Sequence, residues 1–425
     1  MAAKKDYSLT GKEIFNYVSK KEPSYSWKLV KTKTNPGKSK IYELKLISQT
    51  WRGIVWKHRL RIVIPAKVNK NNCLAAFMIA GSSGGDAELA IVSKIADKTC
   101  SPAAVLHDVP NQPLYGGLTE DALIAKTFMD FIENGKPADM LLFPMAKSVV
   151  KGMDAMTDFC KNKFKINIDE FVTFGASKRG WTTWLSAVVD KRVKAIAPLV
   201  YDNLDLEKQM ALQLSDFGEF SEQIEDYTKL GIPEMMMSNP PSASAIGKLV
   251  DPFAYVDKIK VPKLIILGSN DRYWPIDAIN IYYKELPGET FVHYVPNAGH
   301  DLGGKYFRVA DVISEFVESV ENKTSLPRLS SEYSVEKNTI KLKCTSTVTP
   351  EKIHVWVAKS LTKDFRDSKW KLVKMNKKGK FYTCDIIKPA KNRIALFVEA
   401  EYPTGISDSK KKKETYVLSD KVKVF

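Results

Sequence analysis

The sequence predicts two architectures in one chain: an α/β domain on a mostly parallel sheet over residues 1–325, then an all-β sandwich over 328–425. Three observations carry this. Continuous apolar runs such as Leu74–Ala80, Phe171–Phe174 and Leu264–Gly268 have no polar alternation, the mark of strands covered on both faces. Helical patterns separate these runs, and right-handed crossovers between successive strands make the sheet parallel. After Leu326-Pro327-Arg328 the helical period stops, and short alternating segments follow at the turn spacing of a sandwich.

In order, an amphipathic helix spans Thr10–Ser19, with Ile14, Phe15 and Val18 on one face. Strands at Ile41–Ser48 and Leu60–Ile64 read as the antiparallel start of the sheet. Leu74–Ala80 is a buried strand ending in Gly81-Ser82-Ser83-Gly84-Gly85; Ala103–Asp108 is a strand, and Glu120–Asn134 and Met145–Lys161 are helices. The strand at Phe171–Phe174 precedes a helix, and Lys194–Val200 is the next strand. Between Tyr201 and Val250 the alternation halts for about fifty residues. An insertion of that length is functional or packed; rich in methionine and aromatics, it is expected to be a helical cap over the site, the methionines mainly packing. Strands resume at Lys263–Gly268 and Thr290–Val295, and Val309–Val320 is a helix. The last strands are expected at Thr339–Thr345, Lys352–Ala358, Trp370–Met375, Lys380–Ile386, Ile394–Glu401 and Glu414–Lys423, an immunoglobulin or fibronectin III-like pattern.

The chemistry concentrates at Gly175-Ala176-Ser177-Lys178-Arg179-Gly180-Trp181. A serine between a buried strand and a helix has the layout of a nucleophile elbow, with Gly180 relieving the turn one place later than usual. A serine needs a positioned base. Asp271 follows the strand ending at Gly268, and His300 follows the strand ending at Val295, so serine, acid and base come in α/β-hydrolase order at strand ends. Singly, each has an ordinary reading as a turn residue, a helix cap or a loop histidine; the ordered set points to a Ser177–His300–Asp271 triad. The N–H groups of Lys178 and of Ser82 or Ser83 are expected to form the oxyanion hole, where small side chains let backbone donors approach. Lys178 and Arg179 at a helix start oppose the helix dipole, which hints at a role beyond the helix.

The chain resembles the PhoPQ-activated pathogenicity-related proteins, a family that includes autocrine proliferation repressor proteins. The residues carrying the likeness are Pro23–Trp27, Ser48–Arg52, Val109–Leu114, Glu120–Ala125, Gly175–Trp184, Asp190–Val193, Leu286–Glu289 and Tyr294–His300. The resemblance runs from about residue 20 to about 325. It implies an α/β-hydrolase-like domain with Ser177, Asp271 and His300 at the family's triad positions. Arg179, Trp181, Asn111 and Tyr273 are the expected substrate-binding residues. The chain departs from the family at Ala80–Gly85, where relatives carry a further Gly and an Asn, at His107-Asp108 in place of Arg-Gln, and in the secretion signal many relatives carry. The turn is also similar to the Gly-Cys-Ser-Arg-x-Gly elbow of glucuronoyl esterases.

Composition bounds the rest. With 425 residues and 44% hydrophobic content, two full cores are affordable. Five cysteines (Cys73, Cys100, Cys160, Cys344, Cys384) lack metal spacing, so no zinc site is expected. Cys73, Cys100 and Cys160 are expected to be buried free thiols. No cofactor is implied, because the glycine loop lacks a P-loop's lysine and spacing. Twelve of the sixteen net positive charges fall in 328–425, which holds 23 Lys and Arg against 11 Asp and Glu. That basic surface serves solubility or weak contact with an acidic polymer or anionic membrane. No interleaved aromatic-basic motif suggests nucleic-acid binding. Lys410–Lys413 is expected to be a solvated turn. The N-terminal Met1–Ser8 has no apolar stretch, which gives a cytoplasmic expectation with secretion as the alternative. The expected function is serine hydrolysis of an ester or peptide bond in a small-molecule or peptide substrate; the alternative is a catalytically silent signalling or binding protein on the same scaffold.

Overall fold

The computed structural model describes all residues except 1–6, 36, 38, 70–73 and 406–413. Its first part runs α1 (Glu13–Ser19), β1 (Ser26–Thr34), β2 (Lys40–Trp51), β3 (Ile54–Ile64), β4 (Leu74–Ile79), α2 (Asp86–Thr99), β5 (Ala103–Leu106), α3 (Glu120–Asn134) and α4 (Leu142–Phe164). Next come β6 (Glu170–Ala176), α5 (Lys178–Val189) and β7 (Val193–Leu199). The helices α6 (Leu206–Phe217), α7 (Glu225–Thr228), α8 (Ile232–Ser238) and α9 (Pro241–Val250) fill the expected insertion, before β8 (Lys263–Gly268), β9 (Thr290–Val295) and α10 (Tyr306–Glu321). The remainder is all strand: β10 (Leu329–Glu336), β11 (Thr339–Ser346), β12 (Lys352–Ser360), β13 (Lys371–Lys374), β14 (Asn376–Lys378), β15 (Phe381–Ile387), β16 (Arg393–Pro403), β17 (Thr415–Ser419) and β18 (Lys423–Val424).

The central sheet runs β1-β2-β3-β5-β4-β6-β7-β8-β9, antiparallel at its first pairings and parallel from β5 to β9. Apolar side chains from β4 and β6 reach both faces. Phe77 and Phe171 pack with α3, α4 and α5 on one side; Ala76, Val172 and Phe174 pack with α2 and α10 on the other. This double covering explains the uninterrupted apolar runs.

The C-terminal part departs from the expectation of a separate sandwich. Two sheets do face each other, with Ile340, Leu342 and Cys344 packed against Val355, Val357, Leu396 and Val398. Yet the sheet holding β12 and β16 continues the central one, because Ser419 of β17 pairs with Val292 of β9. Ala400, Tyr402, Tyr416 and Leu418 share a core with α10, so the two parts are fused through hydrogen bonds and packing. Cys160, Cys344 and Cys384 are buried free thiols, whereas Cys100 is half-exposed, contrary to expectation, because it caps α2 at its edge. Cys73 and Lys410–Lys413 lie outside the described residues.

Candidate active site

Ser177 sits between β6 and α5 with φ 60° and ψ −124°, a backbone state costing a non-glycine residue about 1–3 kcal/mol. Its N–H donates to Leu199 O on β7, and its carbonyl accepts from Trp181 N, pinning the turn from both sides. Two glycines make the turn sterically possible. A Cβ on Gly175 would meet Arg179 Cβ at 2.8 Å and Ile79 O at 2.9 Å; one on Gly180 would meet Tyr201 Cβ at 2.8 Å and Leu199 O at 3.0 Å. The relief expected at Gly180 is thus a close helix-to-strand approach, and it leaves the place after Lys178 free for an arginine.

Asp271 and His300 come from the loops after β8 and β9. These loops cross closely: a Cβ on Gly268 would lie 2.3 Å from Gly299 O, and Asn270 N donates to Ala298 O at 2.9 Å. His300 Nδ1 lies 2.8 Å from Asp271 Oδ2, while Asp271 Oδ1 accepts from Tyr273 N at 2.9 Å. The carboxylate is nearly buried and both its oxygens are engaged, so it holds one ring orientation. His300 Nε2 is buried and has no hydrogen-bond partner among the described residues. Tyr273 lies against the imidazole, ring centroids 4.2 Å apart. Nearby Asp202 accepts from Tyr282 OH at 2.6 Å. Burial, with the Asp271 charge adding to it, pushes the Asp202 carboxyl up to about 8, so at neutral pH it adds no second negative charge there.

Ser177 and His300 line one cavity of about 60 Å³ beneath the inserted helices. Its walls are apolar and aromatic, from Phe128, Trp181 and Tyr201 below and Met210, Ile224 and Met236 of the insertion above. Tyr273 and Trp181, named above as substrate-binding residues, also line it, and Trp181 Nε1 donates to Val250 O. A larger apolar cavity of about 260 Å³ lies across His300, between the starts of α2 and α10, lined by Ala176, Ile91, Tyr306 and Val309.

Two expected binding residues do not face the cavity. Arg179 is buried and spent: Nε donates to Val109 O at 2.8 Å, and its other nitrogens hold the Glu120 carboxylate at 2.7 and 2.5 Å. Its guanidinium occupies the space a Cβ on Gly81 would need, so it ties the elbow helix to the glycine loop. Although burial alone would raise it, Glu120 is held down at about 2 by hydrogen bonds and charge from Arg179, with Gln112 and Lys178 assisting. Asn111 is turned away, its Oδ1 accepting from Lys57 N. The Ser82 hydroxyl donates to Glu88 at 2.6 Å, and neither Ser82 nor Ser83 lines the cavity of Ser177. Lys178 lines it, but its ammonium is bonded to Asp121 at 2.6 Å. Asp121, which also accepts from Tyr227 OH at 2.9 Å, is the residue sequence reading missed; at the start of a helix it looks like ordinary dipole compensation. Among the described residues no cluster of His, Cys, Asp and Glu could hold a metal.

A family model described as PhoPQ-activated pathogenicity-related protein matches residues 14–366. Autocrine proliferation repressor protein A of Dictyostelium discoideum is 32% identical over 387 residues, 84% of this chain and 77% of the relative. Among solved structures, acetyl xylan esterase 1 from a Thermoanaerobacterium species aligns with a TM-score of 0.51 at 15% identity, covering 73% of this chain and 93% of that one. Acetyl xylan esterase from a Paenibacillus species gives 0.51 at 16% identity, over 75% and 96%. At that identity the likeness is one of α/β-hydrolase fold.

Proposed function

The chain belongs to the PhoPQ-activated pathogenicity-related protein family, and from that premise we propose that it is a serine esterase acting on short, uncharged acyl groups. The observation that carries the reading is His300, oriented by Asp271 on one nitrogen and left unpartnered on the other, in the cavity that Ser177 lines. In this mechanism Ser177 Oγ attacks the acyl carbon as His300 Nε2 takes its proton; the same nitrogen then protonates the leaving oxygen, and Asp271 fixes the tautomer and steadies the imidazolium. The N–H of Lys178, at the start of α5, holds the oxyanion. The cavity of about 60 Å³ is small and apolar, which suits a short acyl chain. Its one carboxylate is bonded to Lys178, so a charged acyl group finds no free partner. The leaving group lies across His300 on the side of the larger cavity.

A fluorophosphonate probe and nitrophenyl esters of increasing acyl length test this. Labelling abolished by Ser177→Ala, with kcat/KM falling as the acyl chain lengthens, is the expected result; an inert Ser177 removes the reading. The Dictyostelium relative's name favours a second reading, an autocrine repressor of proliferation. That reading gains if Ser177 is inert while the protein still slows cell growth.

A further inference from the structure

Segment 361–370, which links β12 to β13, reaches out of the C-terminal strands onto the two loops that carry Asp271 and His300. It grips each through one asparagine. On the acid's loop, Asn270 Nδ2 donates to the carbonyls of Phe365, Arg366 and Ser368 at 3.3, 3.1 and 2.7 Å. Its Oδ1 accepts from Ser269 Oγ at 2.8 Å. On the histidine's loop, Asn297 Nδ2 donates to Trp370 O at 3.0 Å while its Oδ1 accepts from Trp370 N at 2.8 Å, a closed two-bond pair. A third bond, from Asn297 N to Ser269 Oγ at 2.8 Å, joins the two loops directly. An amide side chain is the one uncharged group that both donates and accepts in this way.

The segment is itself anchored. Phe365 and Trp370 are buried, and Trp370 packs on Phe397, which stacks on Tyr294 of β9. Its charged residues reach the cap and the acid's loop: Arg366 meets Glu222 at 2.9 Å and lies over Phe217, Lys363 meets Asp216 at 3.0 Å, and Asp367 meets Arg272 at 2.8 Å.

We propose that this segment positions the catalytic pair: by clamping Asn270 and Asn297 together, the C-terminal strands set the register of Asp271 against His300. The proposal rests on the serine-esterase reading for its kinetic consequence, but not for its geometric one. Neither asparagine touches the cavity, so both are positioning residues.

The test uses the full-length protein with Asn270→Asp and Asn297→Asp. Each is near-isosteric and keeps the accepting oxygens while replacing the amide N–H donors with an acceptor that repels the carbonyls. Two readouts are taken: the phosphonylation rate of Ser177, and the low-field proton resonance of His300 Nδ1–H. Loosening a catalytic pair can cost up to about a hundredfold, so the expected result is a 10- to 100-fold slower phosphonylation, with kcat reduced and KM little changed. The low-field resonance broadens or shifts while the far-UV spectrum is retained. Folded variants that keep both the wild-type rate and the wild-type resonance overturn the proposal. If the wild type is not labelled at all, the esterase reading fails alone, and an altered resonance in the variants still upholds the clamp. Should Asn270→Asp not fold, the exposed Asn297→Asp decides.

Discussion

Removing the Arg179 guanidinium separates the roles of the cations beside Ser177. Arg179→Met keeps the aliphatic stem but removes the donors to Val109 O and to the Glu120 carboxylate. Breaking a buried ion pair from one side costs about 3–5 kcal/mol. Glu120 keeps 35% of its side chain exposed and Lys178 stands 3.6 Å away, so solvent screening and the second cation bring the expected loss to about 2 kcal/mol. The pH dependence follows from the depressed Glu120 carboxyl. Because the folded value is about 2, below the unfolded one near 4.5, its stabilisation is complete above 4.5 and disappears as pH falls toward 2. The gap between wild type and variant therefore narrows from pH 7 to pH 3. Urea unfolding at both pH values, with Glu120→Gln and the double variant, completes a cycle. An equal gap at both pH values, or strict additivity of the two substitutions, refutes the reasoning.

Two further outcomes follow from buried groups. Asp202→Asn leaves hydrolysis at pH 7 near wild type, because the native carboxyl is already protonated below about 8. Holding a proton in the fold that the unfolded chain releases near 4, Asp202 costs stability progressively from pH 4 to 8, so the variant's advantage in urea grows over that window and then levels off. Burial pushes His293 down to about 4, and both its ring nitrogens are without hydrogen-bond partners among the described residues. The unfolded histidine takes a proton from about pH 6.5 and the folded one only near 4, so this site loses stability as pH drops between those values. His293→Leu is expected to stabilise by about 1 kcal/mol at pH 7 and by more at pH 5; a destabilised variant at pH 5 contradicts this.

The parallel sheet and the three site positions were legible because their signals are local. A strand covered on both faces has to be apolar throughout, and Gly175, Gly180 and Gly268 stand where backbones approach too closely for a side chain. The elements missed depend on partners elsewhere. Strand β1, Ser26–Thr34, is exposed along nearly its whole length, so no alternation announced it; pairing with β2 makes it a strand. Helix α2 starts at Asp86, behind Gly85 and with no side-chain cap, directly after a glycine loop that reads as flexible. The continuity between β9 and β17 rests on residues 127 apart in sequence, which no local pattern marks. The ion pairs of Arg179 and Lys178 are not legible locally, because their partners, Glu120 and Asp121, lie nearly sixty residues upstream.

Those two pairs change how charge at the proposed oxyanion should be understood. Lys178 and Arg179 follow the serine at a helix start, where the macrodipole disfavours cations. The first residues of α3 supply two carboxylates at that point, Glu120 to Arg179 and Asp121 to Lys178. Each cation is neutralised before a substrate arrives, and the cavity lining is left apolar. An oxyanion forming there would be stabilised mainly by oriented backbone N–H dipoles, which need no reorganisation as charge develops. Freeing the Lys178 ammonium would instead place a mobile charge beside the serine and favour anionic acyl groups. On the esterase reading proposed above, the acidic pair that opens α3 would keep the elbow's cations structural and the acyl site neutral.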